Sequence, residues 1–244
     1  MPELTTVRRY LYWSDRRIHD VAQNNDISLK PRWIWTVRSP VLNFLPQLEA
    51  ASQRQNLSRH AIAQRLEATI GVHAVSDFVT PAKVVFAKGR GHLTIASYKP
   101  WYSKKRAVIA RTRTVSSDGC RVEVILFGSL ENCADYLAGA KAASPGWPSS
   151  STRDIERFIK SRGTVNDGQY DDDESIAVEI LRTVHNQGML GRYVFERQDS
   201  AEWFAEVFHD VVLDKDRWDL TPGHDVPERF DRIVIGAPLW VRTG

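Results

Sequence analysis

Residues 98 to 113, YKPWYSKKRAVIARTR, interleave cations with aromatic rings. Positive side chains attract phosphates without regard to sequence, and an exposed ring stacks on an unpaired base for roughly 1–3 kcal/mol. Lys99, Trp101, Tyr102, Lys104, Lys105, Arg106, Arg111 and Arg113 are therefore candidate nucleic-acid or phosphate-binding residues. On a strand, Arg111 and Arg113 share one face two residues apart, as a groove that tracks phosphates requires. The wider tract from Lys83 to Arg121 carries ten Lys and Arg against one acidic residue, Asp118. The competing reading is an edge strand whose cations discourage aggregation, with its rings in the core.

The other chemistry-bearing groups are weaker. The chain has no GxxxxGK[ST] or GxGxxG phosphate loop, no HExxH, no GxSxG and no zinc-spaced cysteines. Gly89-Arg90-Gly91 reads as a hairpin turn between two strands. The pairs His209-Asp210 and His224-Asp225 join neighbours that point to different faces. Asp171, Asp172, Asp173 and Glu174 could hold Mg²⁺, but carboxylates at a helix start are favoured by the macrodipole alone. Ser14-Asp15 before Arg16 and Arg17 offers a strand-to-helix junction where the aspartate competes with any anion. Cys120 and Cys133 are too few for a disulfide framework and read as reduced and structural. No cofactor or metal is implied by any motif.

Elements must position these residues, and hydrophobic period indicates them. Val7–Trp13 is a strand leading into a helix near Arg16–Gln23, and Asn24-Asn25-Asp26 ends it. ISLKPRWIWTVRSP reads as extended, and Ser58–Ile70 as an amphipathic helix stopped at Gly71. From Lys83 to Phe127, VVFA, HLTIASY, AVIARTRTV and RVEVILF form an antiparallel meander with turns at KGRG, KPWYSKK and SSDG. LENCADYLAGAK, TRDIERFIKSR and Ser175–His185 read as helices. So does SAEWFAEVFHDVV, with Trp203, Val207 and Val211 at four-residue spacing and Phe204 and Phe208 alongside. RIVIGAPLWVRT is a buried strand that Gly236 and Pro238 place at a bulge or an edge. The expected fold is α+β, a mostly antiparallel sheet from the 83–127 meander plus N- and C-terminal strands, with helices packed on it. One domain over 1–244 is expected, with a flexible linker at 143–151.

At 244 residues with 42% hydrophobic and 26% charged side chains, the composition is that of a globular protein. No apolar run suits a membrane span and the first residues lack a secretory pattern, so a cytoplasmic location is expected. The net charge of +3 conceals a gradient. Residues 1–121 hold 20 Lys and Arg against 8 Asp and Glu, residues 122–166 hold 5 against 5, and residues 167–244 hold 8 against 17. Such asymmetry suits a polyanion ligand, or two faces that meet within one molecule or between copies.

RRYLYWSDRRI, VILFGSLENCADYLAGA and RIVIGAPLWV together resemble an uncharacterised family of actinobacterial proteins: a tyrosine-rich strand ending in Ser-Asp, a central Gly-Ser turn into a helix and a final IGxPLxV strand. The resemblance implies a shared fold and transfers no catalytic residue. Three functional readings follow. The first is a non-enzymatic accessory or regulatory module that binds nucleic acid, a nucleotide or an acidic partner through residues 83–121. The second is a metal-dependent nucleotide or nucleic-acid phosphodiester hydrolase using Asp171–Glu174. The third is a homo-oligomer that docks its basic half on the acidic half of a second copy.

Overall fold

In the computed structural model the described residues are 9–29, 34–35, 52–53, 57–79, 85–98, 107–133, 172–188, 194–214, 216–218 and 230–244. The chain divides into two compact units, residues 1–15 with 73–244, and residues 16–72.

In the larger unit five strands close into a barrel, which overturns the open sheet expected from the sequence. Its strands are β5 (Phe86–Tyr98), β6 (Ala107–Val115), β7 (Arg121–Ser129), β8 (Val194–Val212) and β9 (Arg232–Thr243). β5, β6 and β7 pair antiparallel in chain order, and β9 then joins β7 in parallel. β8 completes the circle by pairing antiparallel with both β9 and β5. Two short strands extend the rim. β1 (Tyr10–Trp13) pairs with the last residues of β9, and β4 (Ala74–Val75) runs parallel to the start of β5.

Closure depends on β8, the segment whose spacing predicts a helix. Ala201, Trp203 and Ala205 alternate as a strand requires, and all three are buried in a cluster that draws on every barrel strand. Leu93, Ile95, Val108, Ala110, Val122, Val124, Leu126, Val234 and Val241 belong to the same cluster. Small side chains predominate because a five-stranded barrel is narrow. The four-residue series Trp203, Val207, Val211 fits a period of two as well as 3.6, so it cannot distinguish strand from helix.

The KGRG turn is also corrected, because β5 runs unbroken through it. A Cβ on Gly89 would lie 2.6 Å from the Trp203 ring, so this glycine makes room for the indole on the neighbouring strand. The SSDG segment does turn. Gly119 adopts φ +85° there, and its N–H donates to the Ser116 carbonyl. β9 carries the expected irregularities of register against β8 but is central rather than an edge, since β7, β8 and β1 all pair with it.

The opposite face of β6, β7 and β9 packs against the helix α3 (Asp173–Gly188). Ile109, Ile125, Phe127, Ile233 and Ile235 meet Ala177, Val178, Ile180, Leu181 and Val184 in a second buried cluster. Of LENCADYLAGAK, residues Leu130–Cys133 form a 3₁₀ turn, and the remainder lies outside the described residues. TRDIERFIKSR and the 143–151 linker also lie outside them.

The smaller unit contains helices α1 (Asp15–Asn24, whose first residue belongs to the larger unit) and α2 (Arg59–Thr69), and a two-stranded pair, β2 (Ile34–Trp35) with β3 (Ser52–Gln53). Ser58 caps α2 by accepting from the Ala61 N–H. Asp26, at φ 55°, follows α1 where the Asn-Asn-Asp break is expected. Arg65 reaches back from α2 to the Ser28 carbonyl at 2.9 Å. Among the described residues, no helix is long and apolar enough to cross a membrane.

Candidate anion-binding site

Arg111 and Arg113 lie on the outer face of β6, where the two-residue repeat sets them side by side. The hairpin register places Arg113 opposite Glu123 on β7. Glu123 has no solvent exposure and accepts from both arginines, Nε of Arg111 to Oε1 and Nε of Arg113 to Oε2 at 3.2 Å. Burial pushes the Glu123 carboxyl above its ordinary value, against the opposing pull of the Arg111 and Arg113 guanidiniums. One carboxylate thus serves two cations, and Arg111 itself is only 7% exposed. Its Nη2 is buried with no hydrogen-bond partner among the described residues.

These arginines line a cavity of about 420 Å³ together with His92, Thr94, Thr112, His185 and Arg197. Cross-strand register explains the assembly. Thr94 on β5 lies opposite Arg111 on one side and Arg197 on the other, so a single row crosses three strands as Arg111, Thr94, Arg197. His92 stands two residues before Thr94 on the same face, near the Asp199 carboxylate at 3.4 Å. His185 comes from the last turn of α3. The Thr112 hydroxyl donates to the His92 carbonyl at 2.6 Å and ties β6 to β5 beside the cavity. Arg113 also lies over the Phe230 ring, 5.4 Å from its centroid, which holds its guanidinium in place.

Of the residues named from sequence, Arg111 and Arg113 are brought together here. Lys99, Trp101, Tyr102, Lys104, Lys105 and Arg106 lie outside the described residues. Sequence reasoning missed His92, Thr94, Glu123, His185 and Arg197. Glu123 carried a readable signal: it is the only acidic residue in the apolar run RVEVILF, and a hairpin turning at Ser116–Gly119 sets it against Arg113. Arg197 precedes SAEWFAEVFHDVV and carries no local signal of its own.

Comparison with family models, curated proteins and solved structures finds no match in any of the three. The actinobacterial resemblance rests on its three motifs alone.

The acidic run before α3 has local employment. Asp172 accepts from the Ser175 N–H and hydroxyl, each at 2.8 Å, and caps the helix. Arg217 bridges Asp172 at 2.6 Å and Glu174 at 3.1 Å. Asp173 lies 3.5 Å from His209, whereas the neighbouring Asp210 points the other way to Arg232, as adjacent strand residues must. His224-Asp225 and Asp171 lie outside the described residues. Among the described residues, no group of three or more His, Cys, Asp or Glu is placed to hold a metal ion.

Both Ser175 contacts and then Arg217 lower the Asp172 carboxyl from 3.8 to about 2. A group depressed in the fold stabilises above its unfolded value and loses that contribution as pH falls through its folded one. Asp172→Ala is therefore expected to melt below the parent at neutral pH. The difference should persist down to pH 3.8 and close only as pH approaches about 2, as followed by thermal scans. A gap already closed by pH 5 would show that the cap contributes nothing.

Proposed function

We propose that this protein is a non-enzymatic binding module that grips the phosphates of nucleic acid or a nucleotide through the cavity formed by β5, β6, β8 and the end of α3. One observation supports the reading: Arg111, Arg113 and Arg197 gather around one cavity, where the buried Glu123 carboxylate bonds both Arg111 and Arg113. A cavity of this volume falls in the range of small-ligand sites, roughly 300–1,000 Å³. The basic residues from Lys99 to Arg106 precede β6 directly in the chain and would extend the attraction along a strand of nucleic acid.

The test is binding of labelled single-stranded RNA and DNA, and of a labelled nucleotide, at about 50 and 200 mM salt, where several phosphate contacts make affinity fall steeply. Affinity should drop with salt. Arg113→Glu and Arg197→Glu, at positions open to solvent, should each weaken binding by about tenfold or more at the lower salt. Absence of binding to all three probes at the lower salt would overturn the reading.

A further inference from the structure

We propose that phosphate binding at this cavity is proton-linked through His92, and so is tighter in mild acid than above neutrality; this rests on the phosphate-binding reading above and adds its regulation. His92 lines the cavity from β5 with 61% of its side chain open, so its ring is accessible to a ligand. Its Nδ1 lies 3.4 Å from Oδ1 of Asp199 on β8. A carboxylate only accepts, so in this contact Nδ1 carries the hydrogen and Nε2 is the nitrogen that gains or loses a proton. A phosphodiester oxygen also only accepts. The neutral ring therefore offers that oxygen a lone pair at Nε2, whereas the protonated ring donates a charge-assisted hydrogen bond to it. One proton changes both the charge of the rim and its hydrogen-bonding sense. The charged and titratable groups around His92 are Arg111 and Arg113 of β6, Arg197 and Asp199 of β8, and His185 of α3, with Arg90 two residues earlier on β5. Of these, Arg90 donates to the Ser200 hydroxyl at 3.0 Å, Arg111 is bonded to buried Glu123 of β7, and His185 has its Nδ1 buried. Asp199 is fully exposed, so its pairing with His92 is screened by water and adds little to the fold. An imidazolium in a cavity that already holds Arg113 and Arg197 is repelled by them until an anion arrives. Proton and phosphate consequently favour each other, and by linkage each raises the affinity of the other.

The probe is a short labelled oligouridylate without terminal phosphates, because neither its bases nor its diesters change charge over the range in which imidazole titrates. Affinity is measured at about pH 5.5 and 8, on either side of that range, and at about 50 mM salt. Asparagine at position 92 keeps a donor for Asp199 and takes up no proton. His92→Asn and the parent are therefore expected to bind equally at the higher pH, and the parent to bind about fivefold more tightly at the lower. Glu123 is common to both proteins, so its own titration cancels in the comparison. His185→Asn should retain the gain in acid. Equal affinities of parent and His92→Asn at both pH values, or a loss of the same size at both, would overturn the inference while leaving phosphate binding intact. A gain abolished by His185→Asn would overturn it as well, by moving the proton to the other histidine. Failure of the parent to bind the probe at either pH would remove nucleic acid as the ligand, and this inference with it.

Discussion

Asp210→Ala is expected to destabilise the larger unit by about 3–5 kcal/mol, because it strands a charge that cannot be neutralised. Arg232 has no solvent exposure and faces the barrel interior beside Val122. Its Nε and Nη2 donate to the two oxygens of Asp210, each at 2.6 Å, and its Nη1 donates to the Phe78 carbonyl at 2.7 Å. The Phe78 ring lies under the guanidinium at 5.5 Å. Every direction around the cation is thus protein, and arginine stays protonated at any working pH. Without Asp210, Arg232 keeps its desolvation cost and loses the charge that offsets it. Denaturant unfolding should show a lower midpoint, and the melting temperature should fall by on the order of 10 °C. Replacing both partners, Arg232→Met with Asp210→Leu, should recover most of the loss, because a buried pair contributes little beyond a well-packed apolar substitute. A cost below about 1 kcal/mol for Asp210→Ala would mean that water reaches the guanidinium.

Most of the elements were legible where one physical signal dominated. The β6–β7 hairpin followed from alternation on either side of SSDG, and Gly119 has the positive φ that such a turn favours. Ser58 and the Asn-Asn-Asp break bounded the helices of the smaller unit. Closure of the sheet was not legible, because it hinges on β8. There the aromatic and β-branched residues at 203, 204, 207, 208, 211 and 212 satisfy a helix and a strand equally. What decides is a partner far away in the chain: Gly89 leaves space for Trp203, and β9 supplies the other edge. Tertiary pairing of that kind overrides local spacing. The site divides in the same way. Arg111 and Arg113 could be named from a two-residue repeat, and Glu123 could have been named from hairpin symmetry. Arg197 and His92 reach the cavity only through the register of β5 with β8, which no local pattern encodes.

Charge bookkeeping leads to a second expected result: Glu123→Gln should bind a phosphorylated ligand roughly tenfold more tightly than the parent while remaining folded. Raised by burial, the carboxyl contributes its full stability below its unfolded value and loses it as pH rises through the folded one. Glutamine keeps the shape, but only its amide oxygen accepts; its nitrogen meets the second arginine donor to donor, and Arg111, 7% exposed, loses its counter-charge. The melting temperature should therefore fall by several degrees while the protein stays folded. Affinity should rise all the same, since the variant removes the negative charge of the carboxylate that bonds both Arg111 and Arg113. A unit charge about 7 Å from a bound anion, at an effective dielectric of about 40, is worth on the order of 1 kcal/mol. The advantage should also depend on pH with a fixed sign. As pH falls through the raised Glu123 value the parent gains the proton that glutamine imitates, so the gap between the two proteins closes; as pH rises it widens and then levels off. Calorimetric titrations of both proteins at about pH 5 and 8 with one phosphorylated ligand would measure it. Weaker binding by Glu123→Gln at the higher pH would show that the carboxylate acts chiefly by fixing the two guanidiniums in place, and that position rather than net charge governs the cavity.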